Sequence, residues 1–63
     1  MPTIRIDMVE GRTVEQKREL ARRITEVVVD VTGAKPDRVT IYFNDIAKQD
    51  ISQGGKLRVD GVS

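Results

Sequence analysis

The sequence contains neither histidine nor cysteine, and Tyr42 and Phe43 are its only aromatic residues. Without cysteine the chain can form no disulfide, and without either residue type there is no plausible zinc site. Eleven basic and ten acidic residues are interspersed, so the basic stripe with stacking aromatics that is typical of nucleic-acid binding is missing. No apolar run reaches the length of a membrane span, and no signal-peptide pattern is present. We therefore expect a cytoplasmic protein with neither nucleic acid nor membrane as a partner.

The length of 63 residues predicts a single domain over residues 1–63, near the lower limit at which one core is stable. Disulfides and structural metals, which stabilise many chains of this size, are not expected here. We therefore predict that association between copies of the chain supplies the remaining stability.

Apolar residues alternate with other residues from position 2 to position 9. This period of two predicts a β-strand in which Ile4, Ile6 and Met8 form one apolar face. Pro2 fits only as the first residue of that strand, because proline has no N–H to donate to a neighbouring strand.

A long helix is predicted to begin at Thr13, because Thr13 and Gln16 form the ends of a capping box. Beyond this cap, apolar residues recur at spacings of three and four and form one stripe: Leu20, Ala21, Ile24, Val27, Val28 and Val31. Gly33 is the predicted residue at the helix end, and Pro36 prevents continuation. The helix has about five turns.

A second alternation, from Val39 to Asn44, predicts a second strand that lies parallel to the first in a β-α-β unit. Residues 46–53 are predicted to be irregular, with a short turn of helix. Gly54–Gly55 indicates a tight turn, followed by a short strand through Leu57 and Val59. Since one helix covers only one face of a parallel sheet, we expect the sheet to be extended across a subunit boundary.

The chain begins Met-Pro, and the motif EGRTVEQK occupies residues 10–17. Together with Ile46-Ala47-Lys48 and Gly54–Gly55, these motifs resemble the 4-oxalocrotonate tautomerase (2-hydroxymuconate tautomerase) family from Pro2 to about Leu57. The resemblance implies an α+β fold, with two parallel strands, one long helix and a short C-terminal hairpin, assembled as a homohexamer of three dimers. It also implies a cofactor-independent isomerase of aromatic catabolism, which converts 2-hydroxy-dienoate or enol acids into conjugated keto acids.

Pro2 is the expected catalytic residue. Initiator methionine is usually removed before a small residue such as proline, and loss of Met1 would give Pro2 a free secondary amine. An apolar pocket and a nearby cation lower the pKa of such an amine, which suits a general base that abstracts a proton next to a carbonyl. The alternative is that Pro2 merely begins a strand.

Three further residues are predicted to bind the substrate. The resemblance matches Arg12 to the arginine that binds the substrate carboxylate. A cation before a helix N-terminus opposes the helix dipole, and a carboxylate bound between the two would relieve this conflict. Val9 matches an apolar position of the pocket, and Ile51 stands where the family has a pocket aromatic. The alternatives are an arginine that merely enters a helix at Arg12 and plain core packing at Val9, which explains that residue equally well.

The sequence departs from the family at Thr40, where the best-known members have a second arginine that polarises the substrate carbonyl. Arg38, two residues earlier, is a candidate replacement if the strand register directs it to the same face; otherwise it is a solvated arginine. Removal of one such donor costs roughly 3–4 kcal/mol in other enzymes. We therefore expect a slower tautomerase or one with a different substrate.

Two other functions remain open. A hydratase or dehalogenase of the same superfamily would use protonated Pro2 as an acid, but it generally needs a carboxylate to activate water, and only Asn44 and Asp45 are near. A non-catalytic, homo-oligomeric β-α-β module would need no chemistry at all. The segment 58–63 is predicted either to close over a neighbouring site or to fray.

Overall fold

The computed structural model describes residues 2–61. Its main elements are the strand β1 (Thr3–Val9), the helix α1 (Val14–Thr32), the strand β2 (Thr40–Ile46) and a hairpin of β3 (Ser52–Gln53) and β4 (Lys56–Leu57). Short 3₁₀ turns occupy Pro36–Arg38, Lys48–Asp50 and Arg58–Asp60. This order confirms the predicted α+β subunit. Met1 and the last two residues of the predicted mobile or closing tail, Val62 and Ser63, lie outside the described residues.

The first two strands pair in parallel, from Thr3 opposite Thr40 to Val9 opposite Ile46. Pro2 lies directly before this ladder, and its carbonyl accepts a hydrogen bond of 3.0 Å from the Thr40 N–H. The strand therefore begins one residue later than predicted, because proline offers no donor of its own. Along both strands, half-buried apolar residues alternate with exposed ones, as the period of two predicts.

The second strand spans Thr40–Ile46 rather than the predicted 39–44. The apolar alternation does not predict the strand beyond Asn44, because Asp45 occupies the position where an inward apolar residue would be expected. The Asp45 carboxylate is instead bonded to the Lys17 ammonium at 2.6 Å. This ion pair joins the first turns of α1 to the end of β2.

Both predicted ends of α1 are confirmed. The Thr13 hydroxyl accepts a hydrogen bond from the Gln16 N–H at 3.1 Å, and the Gln16 side-chain oxygen accepts one from the Thr13 N–H at 2.9 Å. At the other end, Gly33 adopts a φ of 76°, and its N–H donates to the Val29 carbonyl at 2.9 Å. A residue with a side chain would be strained in this left-handed conformation.

The apolar stripe of α1 is covered only in part. Leu20, Ile24 and Val28 are half-buried, whereas Val27 and Val31 are 61% and 80% exposed. Two strands lie about 4.8 Å apart, so their sheet is narrower than a helix with its side chains, which is about 10 Å across. One flank of the stripe is therefore left for a surface outside the subunit.

The subunit as a whole is extended, and no residue between 2 and 61 is fully buried. Its radius of gyration is 15.0 Å, where a compact domain of this length has about 11 Å. It exposes 5006 Å², compared with about 4,100 Å² for a folded monomer of this size. On the sheet face opposite α1, Tyr42 is 60% exposed. These values agree with the expectation that copies of the chain associate.

The outer face of α1 carries a network of ion pairs. Arg22 bonds to Glu19 and Glu26 at 2.6 Å, and Arg23 bonds to Glu19 at 2.6 Å. The hydrogen bonds from Arg22 and then Arg23 hold the pKa of the Glu19 carboxyl at about 2, below its ordinary 4.5.

Within residues 2–61, no helix combines the length and the apolar character needed to cross a bilayer.

We predict that Thr13→Ala lowers the free energy of unfolding by about 1 kcal/mol, because the N–H of Gln16 loses its acceptor. Denaturant titration followed by circular dichroism would measure this, at one fixed protein concentration since association contributes to stability. Thr13→Ser, which keeps the hydroxyl, should unfold close to wild type. An unchanged midpoint for Thr13→Ala would show that the cap contributes nothing.

The ion pairs of Glu19 predict a pH dependence. Because its pKa is lowered to about 2 in the folded chain, its contribution to stability is present above about pH 4.5 and is lost as the pH falls toward 2. Glu19→Gln should therefore be less stable than wild type at neutral pH, with the difference disappearing near pH 2. An NMR titration of the Glu19 carboxyl with an ordinary midpoint would contradict this.

Candidate active site

The predicted site residues lie at opposite ends of β1. Pro2 directly precedes the strand, and Val9 ends it. Seven residue steps at about 3.3 Å each separate the two by about 23 Å. One subunit therefore does not bring Pro2 together with Val9 and Arg12.

The Pro2 end contains the position of the missing arginine. Pro2 is half-buried, and the Thr40 N–H bonds to its carbonyl, so Thr40 lies directly beside it. Arg38 lies at the same end, but it ends the 3₁₀ turn Pro36–Arg38 instead of lying in β2. We expected Arg38 to replace the missing arginine only if the strand register directed it to the same face. Since Arg38 lies outside the strand, the register does not determine where its side chain points.

The other end of β1 opens into a cleft of about 650 Å³, which we name the cationic cleft. Its lining consists of Val9, Glu10, Arg12, Lys48, Arg58, Val59 and Gly61. The volume is in the range of small-molecule sites. Three cations face a single carboxylate, and two valines supply apolar surface. The structure thus places the predicted residues Val9 and Arg12 in one cleft.

The three cations of this cleft are unpaired. In the part of the chain that the structure describes, Arg12, Lys48 and Arg58 form no ion pair and no side-chain hydrogen bond. By contrast, Lys17 and all three arginines of α1 bond to a carboxylate. Clustered cations without counter-charges produce a positive potential that attracts anions. The cleft is therefore suited to an acid.

Ile51 lies at the same end of the molecule but outside the lining of the cleft. It is half-buried at the base of the hairpin, where its carbonyl accepts a hydrogen bond of 2.8 Å from the Arg58 N–H.

The predicted strand through Leu57 and Val59 is wrong beyond Leu57, because Val59 belongs to the 3₁₀ turn Arg58–Asp60.

Sequence reasoning did not identify Lys48 and Arg58 as site residues. Gly54 and Gly55 have φ values of 60° and 82°, and two consecutive positive values define the two-residue turn of a tight hairpin. Pairing outward from this turn sets Gln53 against Lys56 and Ser52 against Leu57. The next pair is Ile51 and Arg58, so the register of the predicted turn would have located Arg58.

The structure thus combines a β-α-β subunit with a cationic cleft at the end of its first strand, which is suited to binding an anion. The sequence model of the family described as "Tautomerase enzyme" matches residues 2–60. A "Probable tautomerase" of Streptococcus pneumoniae is 45% identical over 58 residues, which are 92% of this chain and 97% of the relative. The "2-hydroxymuconate tautomerase" of Bacillus subtilis is 38% identical over 60 residues, or 95% and 97% of the two chains.

Solved structures give the same result. A 4-oxalocrotonate tautomerase isozyme of Methylibium petroleiphilum is 39% identical, with a TM-score of 0.86 over 94% of this chain and 92% of the other. A subunit of a heterohexameric 4-oxalocrotonate tautomerase from Chloroflexus aurantiacus is 27% identical, with a TM-score of 0.86 over 98% and 100%. The chain belongs to the tautomerase family and is an isomerase.

Proposed function

We propose that the chain is a cofactor-independent keto–enol tautomerase of the cytoplasm that acts on 2-hydroxy-dienoate or related enol acids in aromatic catabolism. The amine of Pro2, released by removal of Met1, is the general base, and Arg12 binds a substrate carboxylate beside the apolar surface of Val9. The observation that carries this proposal is the family match over residues 2–60, combined with an unpaired Arg12 in a cleft of suitable size.

The proposed reaction moves one proton. The neutral nitrogen of Pro2 accepts the proton of the 2-hydroxyl group as the C2–O bond becomes a carbonyl, and the electron pair shifts along the diene. Protonated Pro2 then returns the proton to a carbon at the far end of the conjugated system. No atom is gained or lost, so a single base completes the cycle. The pyrrolidine ring fixes the direction of the nitrogen, which favours positioning.

Charge develops on the substrate oxygen during this transfer. Thr40, beside Pro2, offers at most a neutral hydroxyl where related enzymes have a guanidinium, and charged donors stabilise an oxyanion more strongly. We therefore propose a slower enzyme than the arginine-containing members, or one with a different preferred substrate. Ile51 contributes an apolar wall behind the hairpin, and Arg38 is a second candidate cation at the Pro2 end.

Assembly completes the proposed site. Pro2 and Val9 lie about 23 Å apart at the two ends of β1, and Arg12 lies in the cleft at the Val9 end; one proton-transfer site cannot span that distance. The exposed flank of α1 and Tyr42 provide apolar surface for contacts between copies. A related structure is a hexamer. We propose a homohexamer, a trimer of dimers, in which Pro2 of one subunit faces the cationic cleft of another.

The structure gives less support to hydration or dehalogenation. The Asp45 carboxylate is bonded to Lys17 at 2.6 Å, and the Asn44 amide donates to the Asp7 carboxylate at 3.1 Å. Neither residue is placed to activate water. A non-catalytic module would have no need for three unpaired cations in one cleft.

We predict that Pro2→Ala lowers kcat for the ketonisation of 2-hydroxymuconate by roughly 100-fold, because the terminal amine of the variant is no longer held in one direction by a ring. Arg12→Ala should raise KM by about tenfold, since a charge-assisted contact to the carboxylate is lost. Ultraviolet absorbance follows the reaction directly. Arg18→Ala, which removes an exposed arginine of α1, is the matched control and should behave as wild type.

Intact mass spectrometry of the same samples shows whether Met1 has been removed. Full activity in protein that retains Met1 would contradict the role of Pro2, because the nitrogen would then be a non-basic amide. Equal rates for wild type, Pro2→Ala and Arg12→Ala would contradict the proposed enzyme as a whole.

A further inference from the structure

We infer that Arg58, together with Lys48, forms a second anion-binding position beside Arg12, so that the cationic cleft selects acids with two carboxylates. The part of the inference that concerns substrates rests on the proposed function. The part that concerns the binding of a diacid does not depend on Pro2. It assigns a specificity-determining role to Arg58, which lies outside the motifs of the resemblance, and to Lys48, which ends one of them.

The backbone of Arg58 is fixed from both sides. On one side, its N–H donates to the Ile51 carbonyl at 2.8 Å and extends the hairpin ladder by one pair. On the other side, its carbonyl accepts a hydrogen bond of 3.3 Å from the Gly61 N–H, which closes the turn Arg58–Asp60. The guanidinium therefore starts from a defined position at the base of the hairpin.

Lys48 occupies the equivalent place in the neighbouring turn. It is the first residue of the 3₁₀ turn Lys48–Asp50, and its carbonyl accepts a hydrogen bond from the Ile51 N–H at 3.3 Å. This turn packs against the turn Arg58–Asp60. Two adjacent turns thus each present a cation to the cleft, and Ile51 is hydrogen-bonded to both of these residues.

The charge of the cleft is unbalanced. Among the described residues, Glu10 is its one acidic residue, against Arg12, Lys48 and Arg58. Arg58 is half-buried, and it has no carboxylate partner within residues 2–61. Clustered cations without counter-charges attract anions. A ligand with one carboxylate would still leave an excess of positive charge.

A diacid matches this excess. One of its carboxylates can bind Arg12, and the other can bind Arg58 with Lys48, while the two valines contact the carbon chain. The cleft of about 650 Å³ has room for a six-carbon diacid. At the Pro2 end, Thr40 supplies no cation at the position of the family's second arginine, and Arg38 lies in the turn before β2. The cleft at the Arg12 end offers three cations for the second charge.

Two six-carbon dienoic acids test this inference by calorimetric titration. Muconate has a carboxylate at each end, whereas sorbate has the same carbon skeleton with only one, and neither has a hydroxyl group to ketonise. Wild type should bind muconate about tenfold more tightly than sorbate, as expected for one additional charge-assisted contact. Arg58→Ala should weaken the binding of muconate by about tenfold and change the affinity for sorbate by less than about twofold.

Lys56→Ala is the matched control, because Lys56 lies in the same hairpin but does not line the cleft; it should leave both affinities unchanged. Arg58→Gln preserves the bulk of the side chain and should reproduce the selective loss, which separates charge from packing. Circular dichroism and sedimentation should show that these variants keep the wild-type fold and assembly. Arg58→Lys, which keeps the charge, should restore part of the preference for muconate.

Equal affinities of wild type for muconate and sorbate would overturn the inference. An equal loss of affinity for both ligands in Arg58→Ala would also overturn it. The test is separate from that of the reaction. If Pro2→Ala retained full tautomerase activity, the proposed mechanism would fail, and the muconate-to-sorbate ratio would still decide the role of Arg58.

Discussion

The narrowness of the β1–β2 ladder is the constraint on which the rest of the structure depends. Two parallel strands and one helix cannot enclose a core, so every residue of the described chain keeps some exposure to solvent. The ladder also determines the length of the subunit, because Pro2 and Val9 mark its two ends. Incomplete burial and the separation of Pro2 from Val9 thus have one physical cause. Association of subunits would relieve both at once.

The cationic cleft depends on a different part of the chain, the turns that follow β2. The Gly54–Gly55 turn folds the hairpin back on itself, and the resulting register carries Arg58 to a position beside Ile51. Arg12 reaches the same region from the start of α1, just before the Thr13 cap. The charges of α1 differ from those of the cleft, because within residues 2–61 the cations of α1 pair with carboxylates while Arg12, Lys48 and Arg58 do not.

Local sequence signals predicted the elements of the fold well. The capping box at Thr13 and the glycine at position 33 mark the two ends of α1 by local interactions alone. The apolar alternation marks β1 in the same local way. Prediction was less accurate where the decisive interaction is long-range. The end of β2 is set by its pairing with β1 as far as Ile46, where Asp45 is paired with Lys17 and so interrupts the apolar alternation. The exposure of Val27 depends on the width of the sheet, which the periodicity of the helix does not report.

The candidate site shows the same division. Arg12 and Val9 were recognisable because they lie within or beside a continuous motif, and the structure brings them into one cleft. Arg58 lies in no motif, and only the hairpin register connects it to that cleft. The separation of Pro2 from the Arg12 end of the subunit follows from strand length, but the contact that we propose to reunite them lies between copies of the chain. Sequence periodicity within one chain carries no information about that contact.

Subunit complementation tests most directly whether Pro2 and Arg12 act from different subunits. Pro2→Ala and Arg12→Ala proteins, each impaired alone, are mixed in equal amounts, dissociated in denaturant and reassembled. If each site combines Pro2 of one subunit with Arg12 of another, random assortment should restore about a quarter of the wild-type sites. Activity that never exceeds the sum of the two separate variants would contradict a site shared between subunits.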